Sequence, residues 1–244
     1  MATTTSTYDS GLLDYLLPVF EAKYGTEVKV ISAGTGQALE LGSRGDADVV
    51  LVHSPTDEER FVSEGFGVKR HCLMYNDFVL LGPKKDPKGA GNDSIVDALK
   101  KISNAGSSFV SRGDGSGTHK KELSLWTWAG IDKKGRWYIE TGTGMGQTLI
   151  TASEKDAYTL SDRGTYISMK DRLNLTILVS GDRLLLNPYS IIAVNPDKNP
   201  GVNHEGAQRL IQWMTSEEGQ SLIEGFTKNG EKLFTPLYNN CFKD

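Results

Sequence analysis

Residues 111–122, which read SRGDGSGTHKKE, combine the side chains best suited to hold an anion. The first eight of them, here called the arginine loop (residues 111–118), contain three glycines, three hydroxyl side chains and Arg112. Glycines let the backbone turn sharply, and a helix N-terminus offers unpaired N–H donors with a partial positive charge. The apolar pair Phe109-Val110 predicts a strand before the loop, and residues 123–128 predict a helix after it. By itself the pattern fits two interpretations equally: oxyanion binding, or a tight turn in which Arg112 only pairs with Asp114.

Three further segments repeat this chemistry. They are the hydroxyl segment (residues 3–7, TTTST), the first glycine loop (residues 34–36, GTG) and the second glycine loop (residues 142–146, GTGMG). Each places hydroxyls and backbone N–H groups before a predicted helix, and Arg112 is the only cation among the four. An anion that leaves water needs pairing or hydrogen bonds, which many neutral donors and one arginine supply. The alternatives are a disordered terminus for the hydroxyl segment and ordinary tight turns for the glycine loops.

Enzyme and metal chemistry find less support in the sequence. Ser116 and His119 lie one helical turn apart, so a Ser–His pair is conceivable, but no third group orients the histidine. His119 is followed by Lys120-Lys121, which predicts a solvated helix face. Paired His or Cys ligands at metal-binding spacing are lacking. The two cysteines, Cys72 and Cys241, either form one bridge or remain thiols.

The elements that would position these loops follow an α/β pattern, with short apolar strands alternating with helical stretches around a largely parallel sheet. Strands are predicted at residues 27–31, 48–52, 77–81, 109–110, 137–139, 157–160 and 189–194. Helices are predicted from residue 12, with Pro18 kinking or dividing the first, and at residues 37–44, 123–128, 147–153, 205–214 and 216–226.

Two predicted domain crossings, at residues 82–89 and near Asn187-Pro188, divide the 244 residues into two lobes. Residues 1–80 plus 188–244 would form lobe I from both chain ends, and residues 81–187 would form lobe II. Ligands of open α/β sheets bind beyond the carboxyl ends of the strands, so the expected site is the cleft between the lobes.

Composition narrows the function classes. The net charge of −4 and the lack of a long basic run argue against nucleic-acid binding. No apolar run approaches the roughly 18 residues of a membrane span. The polar start, Met1-Ala2 followed by the hydroxyl segment, lacks a signal peptide, so we expect an export signal to be missing from this sequence.

Taken in order, these motifs resemble the substrate-binding proteins of Tup-type tungstate ABC transporters along nearly the whole chain. The resemblance rests on TTTS at residues 3–6, GTGQALE at 34–40, DVVLVH at 48–53, MYNDFV at 74–79, residues 111–122, GMG at 144–146 and YTLSDRGTY at 158–166. Gly115 stands where the family commonly has Asp, and residues 8–10 are a variable stretch.

The resemblance implies a type II periplasmic-binding-protein fold, two α/β lobes that close on one tetrahedral oxyanion. It implies tungstate or molybdate as ligand, no cofactor, no metal bound directly by the protein, and a monomer that delivers its ligand to a membrane permease. It further implies a periplasmic or extracytoplasmic location, reached by an export signal or a lipid anchor. The ligand-contact candidates carried over are Thr4, Thr5, Ser6, Thr35, Arg112, Ser116, Thr118, Gly144, Met145 and Gly146.

The residues also bear on which anion is bound. A phosphate site benefits from a carboxylate that accepts the ligand's proton, and only Asp114 and Glu140 stand near the four segments. Since Asp114 is expected to hold Arg112, a donor-only site suits a fully deprotonated dianion. A sulfate- or phosphate-binding protein and a Ser/His hydrolase remain alternatives. An effector-sensing domain of a transcription factor would need a DNA-binding segment, and none fits before Thr3.

Overall fold

The computed structural model describes residues 1–91, 93–132 and 135–241. The chain forms two compact units, one of Met1–Tyr75 with Asn187–Asp244 and one of Asn76–Leu186. It passes from the first unit to the second inside one long strand, so residues 82–89 lie in the second unit. None of the described helices is long and apolar enough to cross a membrane.

The strands are short apart from two. In chain order they are β1 Ala2–Thr4, β2 Ile31–Ala33, β3 Val49–Val52, β4 Gly67–Pro83, β5 Phe109–Ser111, β6 Tyr138–Glu140, β7 Thr159–Asp162, β8 Leu175–Val179, β9 Leu186–Val194, β10 Thr227–Lys228, β11 Glu231–Lys232 and β12 Thr235–Pro236.

The helices follow most of these strands. They are α1 Thr5–Asp9, α2 Leu12–Tyr24, α3 Thr35–Ser43, α4 Pro55–Ser63, α5 Ile95–Asn104, α6 Gly117–Trp128, α7 Met145–Glu154, α8 Arg163–Met169, α9 His204–Met214 and α10 Glu217–Gly225. Short 3₁₀ turns cover Lys170–Arg172 and Arg183–Leu185.

The sheet of the first unit is mixed. Strands β2, β1 and β3 run parallel, β9 is antiparallel to β3, and β12 is antiparallel to β4. In the register, Thr4 lies opposite Ala33 and Thr3 opposite Leu51. The carboxyl ends of β1, β2 and β3 therefore share one edge, where open α/β sheets bind ligands.

The second unit is a strand layer covered on both faces. Residues 78–83 of β4 pair antiparallel with β7 and β8, while β5 runs parallel to β6. Leu80 and Phe109 pack in one apolar cluster with Trp126, whereas Val79 and Val110 pack in the other. This division follows from the period of two, which sends successive strand side chains to opposite faces.

Several predicted elements need correction. The second strand is Ile31–Ala33 and not residues 27–31, because the chain start fixes it: Ile31 N–H donates to Met1 O and β1 pairs residue by residue with β2. The hydroxyl segment is ordered, since Ala2–Thr4 form a strand and Thr5–Asp9 a helix. Pro18 does not divide its helix, which runs unbroken over Leu12–Tyr24. The sheet is mixed and not largely parallel.

The two cysteines form a disulfide. Cys72 on β4 bonds to Cys241, with their Cα atoms 5.2 Å apart. The residues before Cys241 run along β4, since β12 pairs with Met74 and Tyr75 and Leu237 N–H donates to Leu73 O. Both cysteines belong to the first unit, so the bridge joins its two chain segments.

Candidate functional site

In the first unit the hydroxyl segment lies at the carboxyl end of β1. Thr3 is fully buried and donates to Leu51 O at 2.9 Å, which fixes the strand's end. Thr4 is 3% exposed, and its hydroxyl lies 2.7 Å from that of Thr7 and 3.2 Å from that of Ser6. Thr5 and Ser6 are exposed in the first turn of α1. The segment thus places the exposed residues Thr5 and Ser6 above a buried, hydrogen-bonded base.

The first glycine loop lies beside it. Gly34 is the N-cap residue of α3, and no side chain of the described residues caps this helix. Thr35 is its first residue and half-buried. The first N–H groups of a helix have no intrahelical partner, so an uncapped end leaves donors for a ligand. Because Thr4 lies opposite Ala33, Thr4, Thr5, Ser6 and Thr35 gather at one edge of the first unit.

His53 is a residue of this edge that the sequence did not single out. It follows β3, its Nε2 lies 3.5 Å from Ser6 Oγ, and its Nδ1 lies 3.0 Å from Asn187 Oδ1. Asn187 uses its amide nitrogen to donate to Tyr189, so its oxygen accepts from His53 and the imidazole carries a proton on Nδ1. The available signal was its position: a polar residue directly after a fully buried strand.

In the second unit the arginine loop connects β5 to α6. The Arg112 guanidinium lies 2.6 Å from Asp114 Oδ2, so the predicted intraloop pair exists. It occupies only one nitrogen, however. The Nε atom of Arg112 is buried and has no hydrogen-bond partner among the described residues. Leaving a buried donor of a charged group unpaired costs free energy. A ligand that accepts a hydrogen bond at Nε would remove this cost.

Asp114 is held as an ionised carboxylate. Its Oδ1 accepts from the Ser116 N–H at 3.1 Å. Burial alone would raise the pKa of Asp114, but hydrogen bonds from Ser116 and the charge of Arg112 outweigh burial and lower it. Both oxygens are therefore engaged within the loop, and the carboxylate is poorly placed to accept a ligand's proton.

The second glycine loop is bonded to the arginine loop. Gly142 N–H donates to Arg112 O at 2.8 Å, and Thr141 N–H donates to Ser111 O at 3.0 Å. Gly144 is the N-cap residue of α7, and again no side chain within the described ranges caps the helix. Met145 begins the helix with its side chain buried in the core, so it can offer a ligand only its N–H.

Three candidates remain: Ser116 and Thr118 lie at the start of α6, and Gly146 lies in the first turn of α7. Ser116 is the N-cap residue, and its hydroxyl accepts from His119 N–H at 3.4 Å. Thr118 is 8% exposed in the first turn. Arg112, Ser116, Thr118 and residues 144–146 thus gather at the carboxyl ends of β5 and β6 in the second unit.

His119 corrects a prediction. It is 9% exposed and not on a solvated face, because its ring turns back under the loop to accept from Gly115 N–H. The hydroxyl of Ser116 meets the His119 backbone and not its ring. This arrangement gives no activated nucleophile, which needs a base within hydrogen-bond reach of the hydroxyl.

Chemically, each unit offers a patch rich in donors. Two of the helices that begin there, α3 and α7, have glycine N-caps, whereas α5, α8, α9 and α10 are capped by Ser, Asp or Asn side chains. Within the described ranges, no group of three or more His, Cys, Asp or Glu side chains could hold a metal ion. Both patches are suited to oxygens that carry negative charge.

Two α/β units with donors at the carboxyl ends of their strands define a class, the solute-binding proteins. Residues 1–218 match the family model of the PBP superfamily domain. The chain is 55% identical over 241 residues to the tungstate-binding protein TupA of Peptoclostridium acidaminophilum, covering 97% of this chain and 84% of the relative.

Solved structures agree. TupA from Desulfovibrio alaskensis G20 superposes with a TM-score of 0.93 at 48% identity, covering 97% of both chains. The tungstate ABC transporter structure from Geobacter sulfurreducens has a TM-score of 0.81 at 53% identity, covering 93% of this chain and 97% of the other. The chain belongs to the TupA family of tungstate-binding proteins, and its fold is that of type II periplasmic binding proteins.

Proposed function

We propose that this protein binds tungstate, with molybdate as the second candidate, and delivers it to the permease of an ABC transporter. Relatives that are named for tungstate binding or tungstate transport are 48–55% identical to this chain in sequence, over 93% or more of its length. The proposed ligand contacts are the donors of both patches: Thr4, Thr5, Ser6, Thr35, Arg112, Ser116, Thr118, Gly144, Met145 and Gly146. The protein acts by binding alone, as a monomer without a cofactor.

The observation that carries the proposal is the state of Arg112. Its guanidinium is partly buried and tied to Asp114 through one nitrogen, and its Nε has no partner in the part of the chain that the structure describes. Beside it, the uncapped start of α7 leaves N–H donors. An oxyanion would satisfy both, because its oxygens accept hydrogen bonds and its charge pairs with the guanidinium.

The donor set also supports a fully deprotonated ligand. Hydrogenphosphate carries a proton that needs an acceptor in the site. Asp114 is occupied by Arg112 and Ser116, and the Glu140 side chain is 59% exposed. Tungstate and molybdate are dianions without a proton, so they fit a site built from donors.

The disulfide supports an extracytoplasmic location. Disulfides persist in oxidising compartments and are rare in the cytosol. The Cys72–Cys241 bridge is consistent with a protein that meets its ligand outside the cytoplasmic membrane. An export signal or lipid anchor on the precursor would place it there.

A thermal-unfolding panel with tungstate, molybdate, sulfate and phosphate tests the ligand. Ligand at about 1,000 times its dissociation constant stabilises by roughly 4 kcal/mol, which raises Tm by roughly 8–16 °C for a chain of this size. We expect a large shift with tungstate, a comparable or smaller one with molybdate and none with sulfate. A shift with sulfate or phosphate alone would keep oxyanion binding and discard tungstate.

The variant Arg112→Ala tests whether Arg112 contributes to tungstate binding. We expect tungstate affinity to fall by a few kcal/mol, roughly a hundredfold or more, since the ligand would lose its guanidinium partner. The control is Arg209→Ala, which removes an arginine from the helix surface of α9, where it pairs with Glu205. Equal affinity of the two variants in calorimetric titration would take Arg112 out of the site.

A further inference from the structure

The buried His119 has a contact that the ligand contacts proposed above do not use. It lies in the first turn of α6 with only 9% of its surface exposed. Its Nδ1 accepts a hydrogen bond from the Gly115 N–H at 2.9 Å. The His119 ring thus reaches back to the loop before its own helix, and this bond and the burial of the ring hold it there.

This bond fixes the tautomer of the ring. An imidazole nitrogen that accepts from a backbone N–H carries no proton, so the proton of the neutral ring is on Nε2. Nε2 is buried and has no hydrogen-bond partner among the described residues. Glu140 Oε1 lies 3.9 Å away, which is beyond hydrogen-bonding distance but favourable for a polarised N–H.

The Gly115 N–H stands at the centre of the arginine loop. Its neighbour Asp114 holds Arg112 through Oδ2 and accepts from the Ser116 N–H through Oδ1. Open space surrounds the position where a Cβ of Gly115 would lie. The bond to His119 therefore fixes the loop at Gly115, which directly follows Asp114, the residue paired with Arg112.

We propose that His119 is a positioning residue for oxyanion binding: through Gly115 it holds Asp114, and hence the Arg112 guanidinium, in the orientation that receives the ligand. The inference rests on the proposed function. It assigns to the ring an acceptor role at Nδ1 and no contact with the ligand.

Two substitutions separate this role from simple packing. Asn places its amide oxygen near the position of Nδ1, so His119→Asn keeps an acceptor for Gly115. Gln extends its amide to the position of Nε2, so His119→Gln fills the space without that acceptor. We expect tungstate affinity within threefold of wild type for His119→Asn and at least tenfold weaker for His119→Gln.

A double-mutant cycle shows whether the effect passes through the arginine. In an Arg112→Lys background, which has no fork to orient, His119→Gln should weaken binding by less than threefold. A full tenfold loss in that background would overturn the proposal, as would equal affinities of the Asn and Gln variants. Wild-type protein that binds no tungstate would instead refute the proposed function.

A measurement on the wild-type protein tests the proposal even if the variants do not fold. Long-range ¹H–¹⁵N spectra of the histidine rings report the tautomer directly. We expect His119 to show an unprotonated Nδ1 and a protonated Nε2, with and without tungstate. A protonated Nδ1 in the neutral ring is incompatible with the bond from Gly115 and would overturn the proposal.

Discussion

At the scale of single residues, Gly113 shows how closely the arginine loop is fitted to its neighbour strand. Its φ of +61° is in the left-handed region, and a Cβ there would lie 2.7 Å from Glu140 Cβ. Gly115 has a similar φ of +73° but nothing within 4 Å of its Cβ position. The two glycines share the conformational requirement and differ in space, which makes them a matched pair.

We predict that Gly113→Ala destabilises the protein more than Gly115→Ala. Both variants incur the left-handed strain of about 1–2 kcal/mol, while Gly113→Ala adds overpacking against Glu140, typically about 1–3 kcal/mol. Gly113→Ala should also weaken tungstate binding, because the loop must shift away from β6. Denaturant unfolding and titration of both variants measure this. Equal losses in both assays would show that the strand leaves more room than the distances indicate.

The sequence identified the residue types of the site but not all of their states. Arg112, Asp114 and Ser116 could be found because charge and hydroxyls around glycines are visible in a sequence. The burial of His119 could not, since Lys120 and Lys121 suggested a solvated face and only the backbone path turns its ring inward. Whether the ten candidate residues contact a ligand stays a prediction.

At the scale of elements, Glu122 joins α6 to β6. This side chain is 3% exposed, and its Oε1 accepts from Trp126 Nε1 at 2.9 Å and from the Tyr138 hydroxyl at 2.6 Å. Burial raises the pKa of Glu122, and the hydrogen bonds it accepts only partly offset this. The same burial, together with the charge of Glu122, raises the pKa of Tyr138.

Stability should therefore fall as pH rises through the range between the ordinary glutamate value, about 4.3, and the raised pKa of Glu122. The folded state binds the proton there and the unfolded state does not, with a limiting slope of about 1.4 kcal/mol per pH unit. We predict that Glu122→Gln removes this slope, since Gln keeps the acceptor oxygen and carries no charge.

Denaturant unfolding at several pH values from 4 to 7 measures the effect. Glu154→Gln, at an exposed glutamate at the end of α7, is the control and should retain the slope of the wild type. A Glu122→Gln variant with an unchanged pH profile would mean that the buried carboxylate is fully compensated by its donors.

Elements differed in how well the sequence predicted them. Strand β3 and helices α9 and α10 were predicted within a residue or two, because an uninterrupted apolar run and clear caps such as Ser216 define them locally. The sequence placed strand β2 too early, since residues 27–30 have as strong a β-strand propensity as residues 31–33. Only the pairing with β1 decides between the two segments. The predicted family and fold class are confirmed by the TupA relatives.

At the scale of the whole molecule, the disulfide joins the two ends of a discontinuous unit. Cys72 and Cys241 are 169 residues apart, and the whole second unit lies within the loop that they close. A cross-link stabilises mainly by restricting the unfolded chain, and the chain-entropy model gives about 5 kcal/mol for a loop of this length. The measured gain is often smaller, because the unfolded chain retains structure that the model leaves out.

We predict that reduction lowers the free energy of unfolding of the first unit by up to about 5 kcal/mol. A lower denaturant concentration at the unfolding midpoint would show this loss. Cys72 is 1% exposed whereas Cys241 is exposed, so a reductant should attack the bridge at the Cys241 sulfur. The control is the double variant Cys72→Ala with Cys241→Ala, which should resemble the reduced protein and not respond to reductant. If thiol titration finds two free thiols and the unfolding midpoint is unchanged, the pairing along β4 alone holds the C-terminal segment in place.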